Sequence, residues 1–308
     1  NSENFCDFRD LQKILIITRA EIKKIPIEKL TAKNILRWRF TDAFTSGSTG
    51  EPLKFYQDAR DNLRREVNTF QELTYAGASG RDNIAVLDLN NHKDLDNFGR
   101  RFKWGDKDFR ESVIYPYLKL KPAVLIANGS DLRRFMFLTR HEAPSIIFKT
   151  LMYRGEHLSE PERDGISRFF KCSIFTTYGS RETSLLGVEC ESHKLHLAPW
   201  MNYFEVVSDD GQVVPDGREG NAVVTFFENF AMPFIRYKIG DRAIINTELC
   251  SCGRKSKTIA IRGRELEIIQ FPDSNRSLSI LDLARRVNEN YYSEIAQYQF
   301  ELRSKNLI

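Results

Sequence analysis

Thr45-Ser46-Gly47-Ser48-Thr49-Gly50-Glu51-Pro52 packs four hydroxyl side chains and two glycines into its first six residues and stops at a proline. Glycine lets the backbone turn with positive φ and bring N–H groups close to an anion, and serine and threonine hydroxyls add donors that rotate to fit. That composition suits phosphate. It is not a Walker loop, because Glu51 stands where G-x-x-x-x-G-K-[ST] requires lysine. A Ser/Gly turn between two strands fits these residues equally well, so the segments around the loop decide.

Working outward, residues 37–44 lead into the loop with β-favouring side chains and Leu53-Lys54-Phe55-Tyr56 resumes as a strand, so the loop joins two strands. Upstream, 8–30 reads as charged surface helix, interrupted at Ile16-Ile17-Thr18 and broken at Pro26. Downstream, 58–75 reads as an amphipathic helix capped near Asp58, 83–89 as a buried strand, and 90–104 as a polar surface excursion. Strands at 122–127, 145–151 and 173–177 then alternate with helices at 130–140 and 160–170. This alternation predicts a layered α/β domain with mainly parallel strands, whose ligands bind beyond the carboxyl ends of the strands. Gly155-Glu156 and Tyr178-Gly179-Ser180-Arg181-Glu182 lie at such ends. After Ser184, short β-like runs separated by Asp209-Asp210-Gly211 and Pro215-Asp216-Gly217 predict a small, mostly antiparallel β-rich subdomain at about 185–260.

The 308 residues are 41% hydrophobic and 29% charged, with 46 basic against 42 acidic side chains for a net +4. This is the balance of a soluble globular chain, and no apolar run is long enough to span a membrane. Charge so mild and dispersed argues against nucleic acid as a partner. Residues 1–7 lack a basic n-region with an apolar h-region, so a cytoplasmic address is expected, and five cysteines, an odd number, suit a reducing compartment.

Four motifs in order resemble those of the adenylate-forming (acyl-AMP synthetase) superfamily, more closely the branch containing phenylacetate-coenzyme A ligase and the CapK-type proteins. Thr45 to Pro52 is similar to that superfamily's phosphate loop, and Tyr178-Gly179-Ser180-Arg181-Glu182 to its Tyr-Gly-x-x-Glu element. Arg236-Tyr237-Lys238-Ile239-Gly240-Asp241 is similar to its Tyr-x-x-Gly-Asp element, and Arg262-Gly263-Arg264 to the start of its hinge. Taken singly, each is ordinary: a solvated glutamate, a Tyr-Gly turn, a Gly-Asp hairpin. Four in family order are specific. The resemblance spans about residues 8–280 and implies a large adenylation domain at 1–262, followed by a hinge and an incomplete, truncated C-terminal segment at 263–308.

What the resemblance implies is ATP-dependent activation of an organic acid, aryl acids included, as an acyl-adenylate, with pyrophosphate leaving and an acceptor then taking the acyl group. An anion meets an anion, so donors and a cation are required. Thr45, Ser46, Ser48 and Thr49 with the backbone of Gly47 and Gly50 are expected to hold the β- and γ-phosphates. Glu182 offers Mg²⁺ a hard oxygen and, with Ser48 and Thr49, makes the catalytic set. Tyr178 is expected to stack on adenine beside Gly179, and Asp241 to accept hydrogen bonds from both ribose hydroxyls. Gly155-Glu156 and Arg264 are expected to join the cofactor site, and an acid pocket is expected near Gly155-Glu156 and the segment 127–131. Coenzyme A is the acceptor most relatives use, with an amine or a carrier-protein thiol as alternatives, and a homodimer is compatible. Arg181 and Lys238 stay open between phosphate and solvent.

The sequence departs from the family at the hinge, where Arg264-Glu265-Leu266-Glu267 puts leucine in the first of two acidic places. Only 44 residues follow Arg264, read as a strand at 266–271, a helix at 280–290 and a segment at 296–302, and the family's catalytic lysine has no clear counterpart. The alternative expectation is therefore a catalytically impaired nucleotide-binding scaffold, or a fragment lacking its lid. Cysteine spacing supplies a second constellation: Cys250-Ser251-Cys252-Gly253-Arg254, and Cys190 with His196 in 189–196. Three thiols and an imidazole satisfy a tetrahedral structural zinc site, against free cysteines on a β-rich surface, with His193 as reserve ligand. Some relatives are similar there. Cys6 and Cys172 stand apart, Cys172 beside an apolar strand as a core residue.

Overall fold

The computed structural model describes residues 7–45, 52–88, 100–103, 120–140, 146–264, 268–270 and 277–279. Its strands in chain order are β1 (Ile17–Thr18), β2 (Phe40–Phe44), β3 (Lys54–Asp58), β4 (Ile84–Asp88), β5 (Arg100–Lys103), β6 (Val124–Asn128), β7 (Thr150–Arg154) and β8 (Ser173–Ser180). They continue as β9 (Ser184–Glu189), β10 (Leu195–Leu197), β11 (Asn202–Val207), β12 (Glu219–Phe226), β13 (Phe234–Ile245), β14 (Thr258–Arg264), β15 (Ile268–Gln270) and β16 (Ser277–Ser279). The chain divides into two compact units, Asn1–Asn68 with Tyr178–Leu266, and Thr69–Thr177 with Glu267–Ile308.

The second unit is the expected parallel α/β layer, with strand order β8-β7-β6-β4-β5 and every pair parallel. Because side chains alternate across a strand, its continuous apolar runs feed two cores. Ala85, Leu87, Leu125, Ala127, Leu151 and Tyr153 pack with Leu132 and Phe135 of the helix Gly129–Leu138 and with Ile166 and Phe170 of the helix Glu160–Phe170. Val86, Val124, Ile126, Met152 and Phe175 face Leu73 of the helix Asp61–Tyr75 instead. The helix Glu160–Phe170 starts where expected because Ser159 and Glu162 form a reciprocal capping box, and it ends on Lys171 in the left-handed conformation. Two expectations need correction here. β7 begins at Thr150 rather than 145; Ile146 and Phe148 are buried in the core without joining a strand, which is what made the run read as β. The expected excursion at 90–104 contains β5, a short charged edge strand with no apolar alternation to betray it.

The first unit is antiparallel, in the order β11-β12-β13-β14-β10-β9, with β1 added in parallel along β13. β2 and β3 form a separate hairpin whose register closes at Phe44 opposite Lys54, so the hydroxyl-rich loop is its tip, as the sequence predicts. The N-terminal stretch is not one helix: a 3-10 turn at Phe8–Lys13 leads to β1, then to the short helices Arg19–Lys24 and Ile27–Leu30. β13 is twelve residues long, so Gly240-Asp241 lies inside a strand and not in a hairpin. Likewise β8 runs on to Ser180 and takes Tyr178 and Gly179 with it. β15 and β16 pair as a two-stranded hairpin in the tail, while the expected segments at 280–290 and 296–302 lie outside the described residues. Among the described residues no helix is long and apolar enough to cross a membrane.

Candidate functional site

β13 carries the site because it is irregular. Between the pairs Asn221 with Arg242 and Val223 with Lys238, Ala222 alone on β12 opposes Ile239, Gly240 and Asp241. Gly240, at φ +89°, permits this bulge directly before Asp241. A second bulge sets Ile235 and Arg236 against Thr225. Arg236 sits there at φ +47°, its N–H donating to the Thr225 hydroxyl at 3.0 Å. Its buried guanidinium pairs with Glu205 at 3.2 Å and donates to the carbonyls of Gln12 and Ile14 at 3.0 and 2.7 Å. The stretch between the two bulges is thereby held in a fixed orientation.

Two carboxylates converge on this strand, each bonded by a tyrosine. Tyr237, only 1% exposed, donates its hydroxyl to Glu182 Oε1 at 3.1 Å. Burial pushes the phenol far above its ordinary range, with Glu182 adding to the rise and Arg19 and Arg264 opposing it, so Tyr237 remains a donor. Glu182 lies on the turn from β8 to β9, which the Ser180 and Thr183 hydroxyls close at 2.8 Å. Among the described residues Tyr237 is its side-chain hydrogen-bond partner, through Oε1. Tyr178 donates to Asp241 Oδ2 at 2.7 Å, and Arg264, directly across from Asp241 on β14, donates to Oδ1 at 3.3 Å. Burial raises the Asp241 carboxyl above its ordinary value, although both partners pull it down. Burial and the neighbouring Asp241 charge together push the Tyr178 phenol well up. Each Asp241 oxygen keeps one acceptor direction, enough for a pair of ribose hydroxyls.

Other candidate residues are used by the fold. A Cβ on Gly179 would overlap the Ser184 carbonyl oxygen, so this glycine is demanded by the β8–β9 approach itself. Thr45 Oγ1 accepts from Leu53 N at 2.9 Å and from Arg19 Nη2 at 2.8 Å, while Thr45 N donates to Leu53 O at 3.1 Å. The Thr45 hydroxyl thus closes the base of the loop. Ser46, Gly47, Ser48, Thr49, Gly50 and Glu51 lie outside the described residues. In the second unit, Gly155 and Glu156 follow β7 directly, and 127–131 spans the end of β6 and the start of the helix Gly129–Leu138. The two segments meet: Glu156 accepts from Ser130 N and Ser130 Oγ, both at 2.7 Å, capping the helix Gly129–Leu138 with its negative charge at the positive end.

Cys190, His196, Cys250 and Cys252 come together with all four ligand atoms within 4.8 Å of one another. Cys190 Sγ lies 3.6 Å from Cys250 Sγ, too long for a disulfide, and Cys252 Sγ lies 3.2 Å from His196 Nε2. Tetrahedral zinc with sulfur and nitrogen ligands separates its ligand atoms by roughly 3.5–3.8 Å, so the donor set fits. The surroundings of the histidine fit as well, since His196 Nδ1 lies 2.9 Å from the Ser256 carbonyl oxygen, an acceptor that places the proton on Nδ1 and leaves Nε2 for metal. His193 is not part of the cluster; its Nδ1 lies 2.9 Å from Glu189 Oε1. Cys172 packs against the second unit's core, and burial pushes its thiol up to about 12. Sequence reading missed Tyr237 as a partner of Glu182, although the residue stands inside a quoted motif. It missed the partners of Arg236, which also stands in a quoted motif, and Arg19 and Ser256 altogether, because only tertiary structure brings each to its partner.

No family model matches the chain. It is 22% identical over 304 residues to Protein CapK of Staphylococcus aureus, covering 92% of this chain and 65% of that protein. It is 38% identical over 82 residues to the phenylacetate-coenzyme A ligase of Thermus thermophilus, covering 25% of this chain and 18% of the relative. Among solved structures, 2-hydroxyisobutyryl-CoA ligase in its postadenylation state superposes with a TM-score of 0.79 at 16% identity, over 94% of this chain and 66% of that one. The anthranilate CoA ligase AuaEII in complex with anthranoyl-AMP gives a TM-score of 0.57 at 13% identity, over 80% of this chain and 51% of that one. The chain therefore spans under two thirds of the length of these relatives. The fold is that of the adenylate-forming superfamily. Within it, the sequence relatives are of the phenylacetate-coenzyme A ligase and CapK-like branch.

Proposed function

We propose that this chain carries out ATP-dependent activation of an organic carboxylic acid. A carboxylate oxygen of the acid attacks the α-phosphorus of ATP, the bond to the bridging oxygen of the β-phosphate breaks, and pyrophosphate leaves with that oxygen. An acceptor thiol then attacks the acyl carbonyl carbon and AMP departs. The observation that carries this reading is the pair of carboxylates set on and beside β13, Glu182 held by Tyr237 and Asp241 held by Tyr178 and Arg264. Asp241 is suited to the ribose hydroxyls, and Glu182 would hold a Mg²⁺ ion. That ion would supply positive charge against the pentavalent phosphorus; the protein's part is to fix the oxygen that holds it. Ser46, Ser48 and Thr49 with Gly47 and Gly50 would receive the leaving phosphates.

Coenzyme A is the acceptor this reading favours, since the ligases of similar fold act with acyl-AMP and CoA. The acid is left as an organic acid, because those neighbours take a branched hydroxy acid in one case and an aromatic acid in another. The Cys190, His196, Cys250 and Cys252 cluster is proposed as a structural zinc site that fastens the loop after β9 to the loop before β14. The test of the activity is ATP–pyrophosphate isotope exchange across a panel of aryl and aliphatic acids. Acid-dependent exchange that drops by about 10²-fold or more in Glu182→Ala and in Asp241→Ala supports it. Nucleotide binding without exchange, for any acid, would make the chain a binding protein instead.

A further inference from the structure

Arg19 belongs to no recognised motif, yet the fold delivers it to the candidate site. Ile17 and Thr18 pair in parallel with Tyr237 and Lys238, so β1 is fastened to the strand that bears the site. Thr18 then caps the helix Arg19–Lys24, its own N–H donating to Glu21 Oε2 at 2.7 Å, which fixes the first helical residue, Arg19, in direction. On the other side of β1, the Arg236 guanidinium holds the Gln12 and Ile14 carbonyls. From this doubly anchored segment Arg19 Nη2 reaches Thr45 Oγ1 at 2.8 Å, across 26 residues of sequence. The same oxygen accepts from Leu53 N, so one hydroxyl joins both ends of the hydroxyl-rich loop to Arg19. The guanidinium also acts on the Tyr237 phenol, whose hydroxyl holds Glu182.

We infer that Arg19 is a positioning residue for the polyphosphate of the nucleotide, tying the base of the loop at Thr45 and Leu53 to β1 and, through it, to the strand β13 that bears Tyr237. The inference rests on the proposed function, in which that loop receives the β- and γ-phosphates. Arginine suits the task because its planar guanidinium directs one N–H at the Thr45 oxygen while its permanent charge stays beside an anionic ligand. Lysine would keep the charge without the fork. An arginine acting this way matters to a ligand with β- and γ-phosphates and not to one that stops at the α-phosphate, whereas a merely structural arginine affects both alike.

The experiment is calorimetric titration of the full chain with Mg·ATP and, separately, with AMP, for the wild type, Arg19→Gln, Arg19→Lys and Asp241→Ala, with a thermal melt of each. Loss of one charge-assisted hydrogen bond predicts roughly tenfold weaker ATP binding in Arg19→Gln, with AMP binding within about twofold of the wild type. Arg19→Lys retains the charge and falls between the two; if Arg19→Gln does not fold, Arg19→Lys carries the test through its ATP-to-AMP affinity ratio. An unchanged ratio in a folded variant overturns the inference and leaves the proposed function standing. Equal weakening of ATP and AMP does the same, because it marks a structural role. A wild type that binds neither nucleotide overturns the proposed function and this inference with it, and Asp241→Ala losing both nucleotides against a binding wild type keeps the proposed function in place.

Discussion

Replacing Arg236 with methionine tests how the site-bearing strand is held. Arg236 is 4% exposed and Glu205 2% exposed, so the substitution leaves a carboxylate in the interior with no countercharge, together with the Gln12 and Ile14 carbonyls that the guanidinium had bonded. Removing one partner of a buried pair costs about 3–5 kcal/mol. The loss should depend on pH in a definite sense. Burial raises the Glu205 carboxyl above its ordinary value and Arg236 lowers it, so without Arg236 it rises further. A carboxyl whose folded value lies above its unfolded value binds more protons when folded, so stability falls as pH rises through the raised value. Arg236→Met should therefore lie furthest from the wild type at neutral pH and approach it as pH falls through that range. Adding Glu205→Leu removes the orphaned charge and should recover most of the loss. Urea unfolding followed by circular dichroism at several pH values is the assay. A neutral-pH loss under about 1 kcal/mol, or a loss that does not change with pH, would refute the reasoning.

Tyr237→Phe deletes the donor to Glu182 and should cost about 1–2 kcal/mol of stability, read by urea unfolding, while weakening Mg·ATP more than AMP in titration. Gly179→Ala drives a Cβ into the Ser184 carbonyl, so its midpoint of unfolding should drop well below that of the neighbouring Ser180→Ala, which keeps the backbone unstrained. Because the Asp241 carboxyl is raised, nucleotide binding should fade on acidification at a higher pH than for an ordinary aspartate. Asp241→Asn, already without the charge, should bind weakly and without that pH dependence in the same titrations. Elemental analysis of purified protein should find zinc near one per chain, falling in Cys250→Ser, and a chelator should lower the melting temperature of the wild type only.

What was legible in the sequence divides along physical lines. The parallel layer could be read because strands buried on both faces are continuous apolar runs, and the helix Glu160–Phe170 because Ser159 and Glu162 write its start chemically. The hairpin around the phosphate-suited loop and the Cys/His cluster were legible as well, the latter because thiols at such spacing have few other uses. β5 was not, since an edge strand made of Arg100-Arg101-Phe102-Lys103 shows no alternation. β13 was misjudged in length because its two bulges break the period of two, and Gly240 looks locally like a turn. Arg19 and Ser256, and the partners of the Arg236 guanidinium, were invisible because the bonded residues lie 26, 60, and 31, 222 and 224 residues apart in the chain, where no local pattern reaches.

The most direct measurement of the central claim uses an acid labelled with ¹⁸O in its carboxylate, taken from those that support exchange, with ATP, Mg²⁺ and hydroxylamine as trap. Attack of the carboxylate on the α-phosphorus makes a labelled oxygen the bridge of the acyl-adenylate, and cleavage at the carbonyl carbon leaves that oxygen on AMP. The account predicts hydroxamate together with AMP carrying one ¹⁸O per turnover, both abolished in Glu182→Ala. Unlabelled AMP, or ADP with phosphate as the nucleotide product, would contradict it.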